Sequence, residues 1–162
     1  MRSRRDLLSI YLNDQLAAGV AWRELARRAA ASERGTPAGT AAGQVADAIA
    51  EDVRTFERMM ERLGVPRSPV KPTLAIAAER VGRLKPNGRL RARSPLSRFV
   101  ELDVLAMGIE GKKILWRTLR DQAGLATRVP EVDFDALIVR ADEQLALIEP
   151  HRRAAAATAL GG

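Results

Sequence analysis

The chain reads as an all-α protein, and three observations predict this. It is rich in Ala, Leu, Arg and Glu, residues that enter a helix at little cost. Runs of β-branched residues with period-two alternation are missing. Four long segments carry apolar residues at i, i+3, i+4 and i+7, each bounded by Gly, Pro or a capping residue. The 162 residues are read as a single domain, 1–162, long enough to bury a sizeable core.

The first helix is predicted over about residues 5–31. At ~100° per residue, Leu8, Tyr11, Gln15, Ala18, Trp22, Leu25 and Ala29 share one stripe. Gly35 and Pro37 stop it. The second helix is predicted over about 41–63, capped by Thr40 or a neighbour. Its stripe is Val45, Ile49, Asp52, Phe56, Met59 and Leu63, and Gly64 stands where a left-handed C-terminal residue belongs.

Residues 64–94 form a crossover. Pro66, Pro69 and Pro72 forbid a continuous helix. A short fifth helix is predicted over 73–84, followed by the turn signal Pro86-Asn87-Gly88. Ser94-Pro95 opens the third long helix, with Ser as cap and Pro at the first helical position. That helix is predicted over 95–123, with Phe99, Leu102, Leu105, Ala106, Ile109, Lys113, Trp116 and Leu119 on its stripe. The fourth is predicted over 133–149, capped by Asp133, with Phe134, Leu137, Ile138, Ala141, Leu145 and Ile148 inward. Pro150 is expected to kink or end it, and residues 154–162 to fray.

The elements make two helical hairpins with short loops, joined by a long crossover. A helix of ~23 residues is ~35 Å long, and a connection of this length can return along it. The second and third helices can therefore run parallel, in up-down-down-up order.

Composition limits the chemistry. There is no cysteine, so disulfides, thiolate ligands and thiol catalysis are excluded. No apolar run approaches the length of a membrane span, and Asp6, Asn13, Asp14 and Gln15 interrupt any signal-like core. A cytoplasmic location is the expectation. The only histidine, His151, stands beside Pro150 and reads as a surface residue. Gly35, Gly39 and Gly43 do not form a phosphate-binding glycine motif.

A few polar residues interrupt apolar stripes. Asp52 lies between Ile49 and Phe56, and Lys113 between Ile109 and Trp116. Asp14 and Gln15 border the first stripe, and Glu110 stands one turn before Lys113. Two readings follow. Converging carboxylates (Asp14, Asp52, Glu110) can hold a metal or act as acid and base. Alternatively, Lys113 neutralises Asp52 or Asp14 in an internal ion pair, with Gln15 and Tyr11 filling the hydrogen bonds. The lysine favours the second, because it supplies the charge a metal would supply.

The wiring, the segment Tyr11-Leu12-Asn13-Asp14-Gln15-Leu16, the acidic Ile49-Ala50-Glu51-Asp52 and residues 101–113 resemble the ferritin-like superfamily, in particular its small uncharacterised helical members. The resemblance spans about residues 5–151. It implies a ferritin-like four-helix bundle and, by analogy, a homodimer. In the iron-binding members, the first and third helices each give a Glu, and the second and fourth each give Glu-x-x-His. This chain offers Asp14 and Glu110 at the first pair of positions. It has Glu51-x-x-Arg54 on the second helix and Glu143-Gln144-Leu145-Ala146 on the fourth. Both imidazoles are missing, so no metal ligand set and no cofactor is expected. An all-carboxylate Mg or Mn site is chemically allowed, but Lys113 opposes it. A non-catalytic binding or scaffold module is the expectation; a carboxylate-ligated oxidoreductase or metal carrier is the alternative.

The formal charge is +7. Arg80, Arg83, Lys85, Arg89, Arg91, Arg93 and Arg98 form a run free of Asp and Glu. Such a run can track phosphates or meet an acidic protein. It lacks stacking aromatics before Phe99, and the turn at Pro86 falls where a recognition helix would begin. Nucleic-acid binding is thus a further alternative, behind arginines that pair with exposed acids on the flanking helices.

Overall fold

The computed structural model describes residues 3–68 and 94–161. These residues form five helices and no strand. Helix α1 spans Arg4–Ser32, α2 Pro37–Arg62, α3 Pro95–Asp121, α4 Leu125–Arg128 and α5 Phe134–Leu160. The predicted helix at 73–84 lies outside the described residues.

Local chemistry sets most boundaries. Ser3 and Asp6 form a reciprocal capping box at the start of α1. Ser94 caps α3 by accepting from Ser97 N, with Pro95 in the first turn. Asp133 caps α5 by accepting from Ala136 N. Gly64 ends α2 with φ +64°, a conformation that disfavours residues with a Cβ.

Two expected boundaries need correction. Helix α2 begins at Pro37 rather than near 41. Thr36 is the cap, its hydroxyl accepting from Gly39 N at 3.1 Å. Pro37, expected as a stop, occupies the first helical position, where the missing N–H costs nothing. Helix α5 does not end near Pro150 but continues to Leu160, so the expected fraying from 154 is also corrected. Pro150 deprives the Ala146 carbonyl of its helical donor, a defect that costs ~3 kcal/mol in a helix interior. Pro150 is exposed, so water can serve that carbonyl. Beyond the proline, Arg152 donates to Glu149 and to Asp103 of α3, and Ala155 is buried at 4 % exposure. These contacts hold the last turns against α3.

The long helices form a ring of neighbours: α1 with α2, α2 with α5, α5 with α3, and α3 with α1. Cross-contacts give their directions. Asn13 of α1 donates to Pro66 O just past α2, while Ala30 faces Gly43, so α1 and α2 are antiparallel. Arg62 meets Glu131 before α5, and Asp52 meets Gln144, so α2 and α5 are antiparallel. Arg98 meets Glu33 and Gly108 meets Trp22, so α3 runs against α1. Helices α2 and α3 therefore run parallel across the diagonal.

One apolar core joins the four helices. Leu12, Val45, Leu105, Leu119 and Ile148 are each at 0 % exposure. Trp116 of α3 stacks obliquely between Phe56 of α2 and Phe134 of α5, with centroids 5.6 and 6.3 Å away. The α2 stripe is buried as expected through Met59, with Leu63 partly buried. The α1 stripe is buried as expected only at Leu25 and Ala29. Tyr11, Gln15, Ala18 and Trp22 are only partly covered, whereas Leu12, Leu16, Ala17 and Ala26 are buried. Helix α1 turns its apolar face to α2 and touches α3 sparingly.

Candidate functional site

Asp52 is the most deeply buried charged residue among the described residues. Its neighbours Ile49, Val53 and Phe56 are core residues, which carries its carboxylate inward to 3 % exposure. A carboxylate so placed requires charge and hydrogen-bond partners. It receives them from two other helices. Lys112 Nζ of α3 donates to Asp52 Oδ2. Gln144 Nε2 of α5 donates to the same oxygen at 3.0 Å. Arg140 Nη1 of α5 donates to Oδ1 at 3.0 Å. Lys112 also donates to Gln144 Oε1, so Lys112, Asp52 and Gln144 close a three-membered ring of contacts. Arg140 reaches outward to Glu51 at 3.6 Å.

Gln144 is at 1 % exposure and the Lys112 side chain at 12 %. Burial lowers the Lys112 ammonium below its ordinary pKa; the Asp52 charge and hydrogen bond act in the opposite direction, and Arg140 adds to the lowering.

The structure corrects the expected site. Lys113 does not reach Asp52. It donates to Glu110 at 3.0 Å and Asp142 at 2.8 Å on the outer face. The bond to Asp142 and then that to Glu110 hold its ammonium above the usual lysine range. Glu110 is half exposed and Asp14 is exposed, so neither joins Asp52. Gln15 lines a cleft between α1 and α3 together with Tyr11 and Lys112. The five expected residues thus divide among the centre, the cleft and the surface.

Lys112, Arg140 and Gln144 were not anticipated. Lys112 and Lys113 fit a stripe through Ile109 and Trp116 equally well, at i+3 and i+4. A seven-residue step separates them: Leu105, Lys112 and Leu119 share nearly one angle, and both leucines are fully buried. The same step from Leu137 reaches Gln144.

Among the described residues, no three of His, Cys, Asp and Glu come together. Arg98 is the one member of the basic run that is described, and it pairs with Glu33 at 3.1 Å. Arg80, Arg83, Lys85, Arg89, Arg91 and Arg93 lie outside the described residues. No helix among the described residues is long and apolar enough to cross a membrane.

Comparisons with protein families, curated proteins and solved structures yield no match to this chain.

Proposed function

We propose that this chain is a non-catalytic binding or scaffold module built on a ferritin-like four-helix bundle, with an internal ion network at its centre in place of a di-iron site. The observation that carries this reading is Lys112 Nζ, which lies against both Asp52 and Gln144. A di-iron pair needs carboxylates from four helices and two imidazoles. The centre here offers one buried carboxylate and one amide, accompanied by a lysine and an arginine. A cation brought to Asp52 would have to displace Lys112 and would face Arg140. The residues do not fit the group.

The fold part of the reading rests on helix directions. Two antiparallel hairpins, with α2 and α3 parallel and 32 residues between Arg62 and Pro95, are what one long crossover produces. The test is metal analysis of protein purified without chelator. Substoichiometric metal in both wild type and Asp52→Ala is expected. Stoichiometric metal that disappears in Asp52→Ala would overturn the reading and favour a carboxylate-ligated metal protein.

A further inference from the structure

Between α1 and α3 the bundle is not closed. A half-enclosed cleft of about 300 Å³ lies there, at the small end of the range for ligand sites. Trp22 of α1 and Met107 and Ile114 of α3 form apolar walls, and Tyr11, Gln15 and Lys112 are its polar groups.

Charge complementarity gives the ligand's polar end. Among the described residues, Lys112 is the only charged one lining the cleft, and Asp52 is buried at 3 % exposure. An ammonium carries three donors. Two go to Asp52 and Gln144, and the third has no partner among the described residues. A further anion beside a buried ammonium favours its charged form. The Tyr11 hydroxyl and Gln15 amide likewise have no hydrogen-bond partner among the described residues.

The glycines give the apolar end. Glycine inside a helix is unfavourable relative to alanine. Gly108 has a steric reason, since a Cβ there would stand 2.5 Å from the Trp22 ring. Gly111 has none, because a Cβ would meet nothing within 4 Å. It leaves open floor between Met107 and Ile114, which are 58 % and 59 % exposed.

We propose that this cleft binds a small monocarboxylate with an apolar body, its carboxylate at Lys112 and its body over Gly111 between Trp22, Met107 and Ile114. The proposal specifies the ligand of the binding role above and rests on that reading. The two fail separately, since metal analysis does not depend on the cleft and ligand titration does not depend on metal.

The experiment is calorimetric titration of the full chain with decanoate, decanol and decylamine. Decanoate should bind most tightly and decylamine not at all. Gly111→Leu, whose Cβ would meet nothing within 4 Å, should fold as wild type and weaken decanoate roughly tenfold or more. Lys112→Met, titrated at a temperature where circular dichroism shows it folded, should weaken decanoate by a similar factor and weaken decanol much less. Equal binding of decanoate and decylamine would overturn the proposal. So would no binding of decanoate, or undiminished binding by a folded Gly111→Leu. A dimer that Gly111→Leu dissociates, with no decanoate binding, would assign the cleft to a second copy and likewise overturn it.

Discussion

The two seams between the hairpins are built from opposite materials. The α2–α5 seam is closed by charge: Asp52 accepts from Arg140 and Gln144, and Arg62 meets Glu131. The α1–α3 seam is closed at the Trp22–Gly108 contact and by Arg98 with Glu33, and is open beside Gly111. Lys112 belongs to both, with its ammonium on Asp52 and its side chain in the cleft wall. The difference teaches that one seam fixes helix register while the other keeps space. Buried, hydrogen-bonded charges tolerate few alternative alignments, whereas an apolar cleft tolerates an occupant.

The largest expected effect comes from the closed seam. Asp52→Ala leaves Lys112 and Gln144 without a carboxylate and Arg140 with the outer Glu51 alone, and should cost ~3–5 kcal/mol in urea unfolding. The open seam should be sensitive only at its one tight point. Gly108→Ala drives a methyl into the Trp22 ring and should cost ~1–3 kcal/mol by overpacking. A loss there equal to that of Asp52→Ala would erase the contrast.

Lys113→Ala, one residue from the network but on the outer face, should change stability by less than ~1 kcal/mol. A loss matching that of Asp52→Ala would return Lys113 to the centre.

The smallest effect lies away from both seams. Arg152 and then Arg153 hold the Glu149 carboxyl down to about 2, against an ordinary value of 4.5. Its contribution to holding α5 beyond Pro150 is therefore complete above pH 4.5 and lost as pH falls toward 2. Glu149→Gln should raise amide exchange in residues 151–160 at neutral pH. The difference from wild type should vanish in acid.

Much of this was legible in the sequence, and the failures have physical causes. Asp52 was legible because α2 has one sharp apolar stripe, so an acid inside it had to be buried. Helix α1 misled because its many alanines suit either face, and only contact with α2 decides between Leu12 and Tyr11. The sequence does not separate Lys113 from Lys112, because a 3.6-residue period places neighbouring positions almost equally well beside one apolar pair. Gln144 and Arg140 were invisible without knowing that α5 faces Asp52. Local propensity puts a break at Pro150 because it omits Arg152, whose bonds to Glu149 and Asp103 operate across it. Crossover length alone allows α2 and α3 to run parallel, and the contacts of Asp52 with Gln144 and of Gly108 with Trp22 give them those directions.

The central claim is that Lys112 and Asp52 form one coupled unit in the bundle core. A double-mutant cycle of Asp52→Leu and Lys112→Met, read by urea unfolding, tests it directly. Each single variant should be destabilised, Asp52→Leu more because it strands the Lys112 ammonium while Lys112→Met leaves Asp52 with Arg140 and Gln144, and the double variant should lose clearly less than the sum of the two. Additive losses, with the double variant weaker than either single, would contradict the claim.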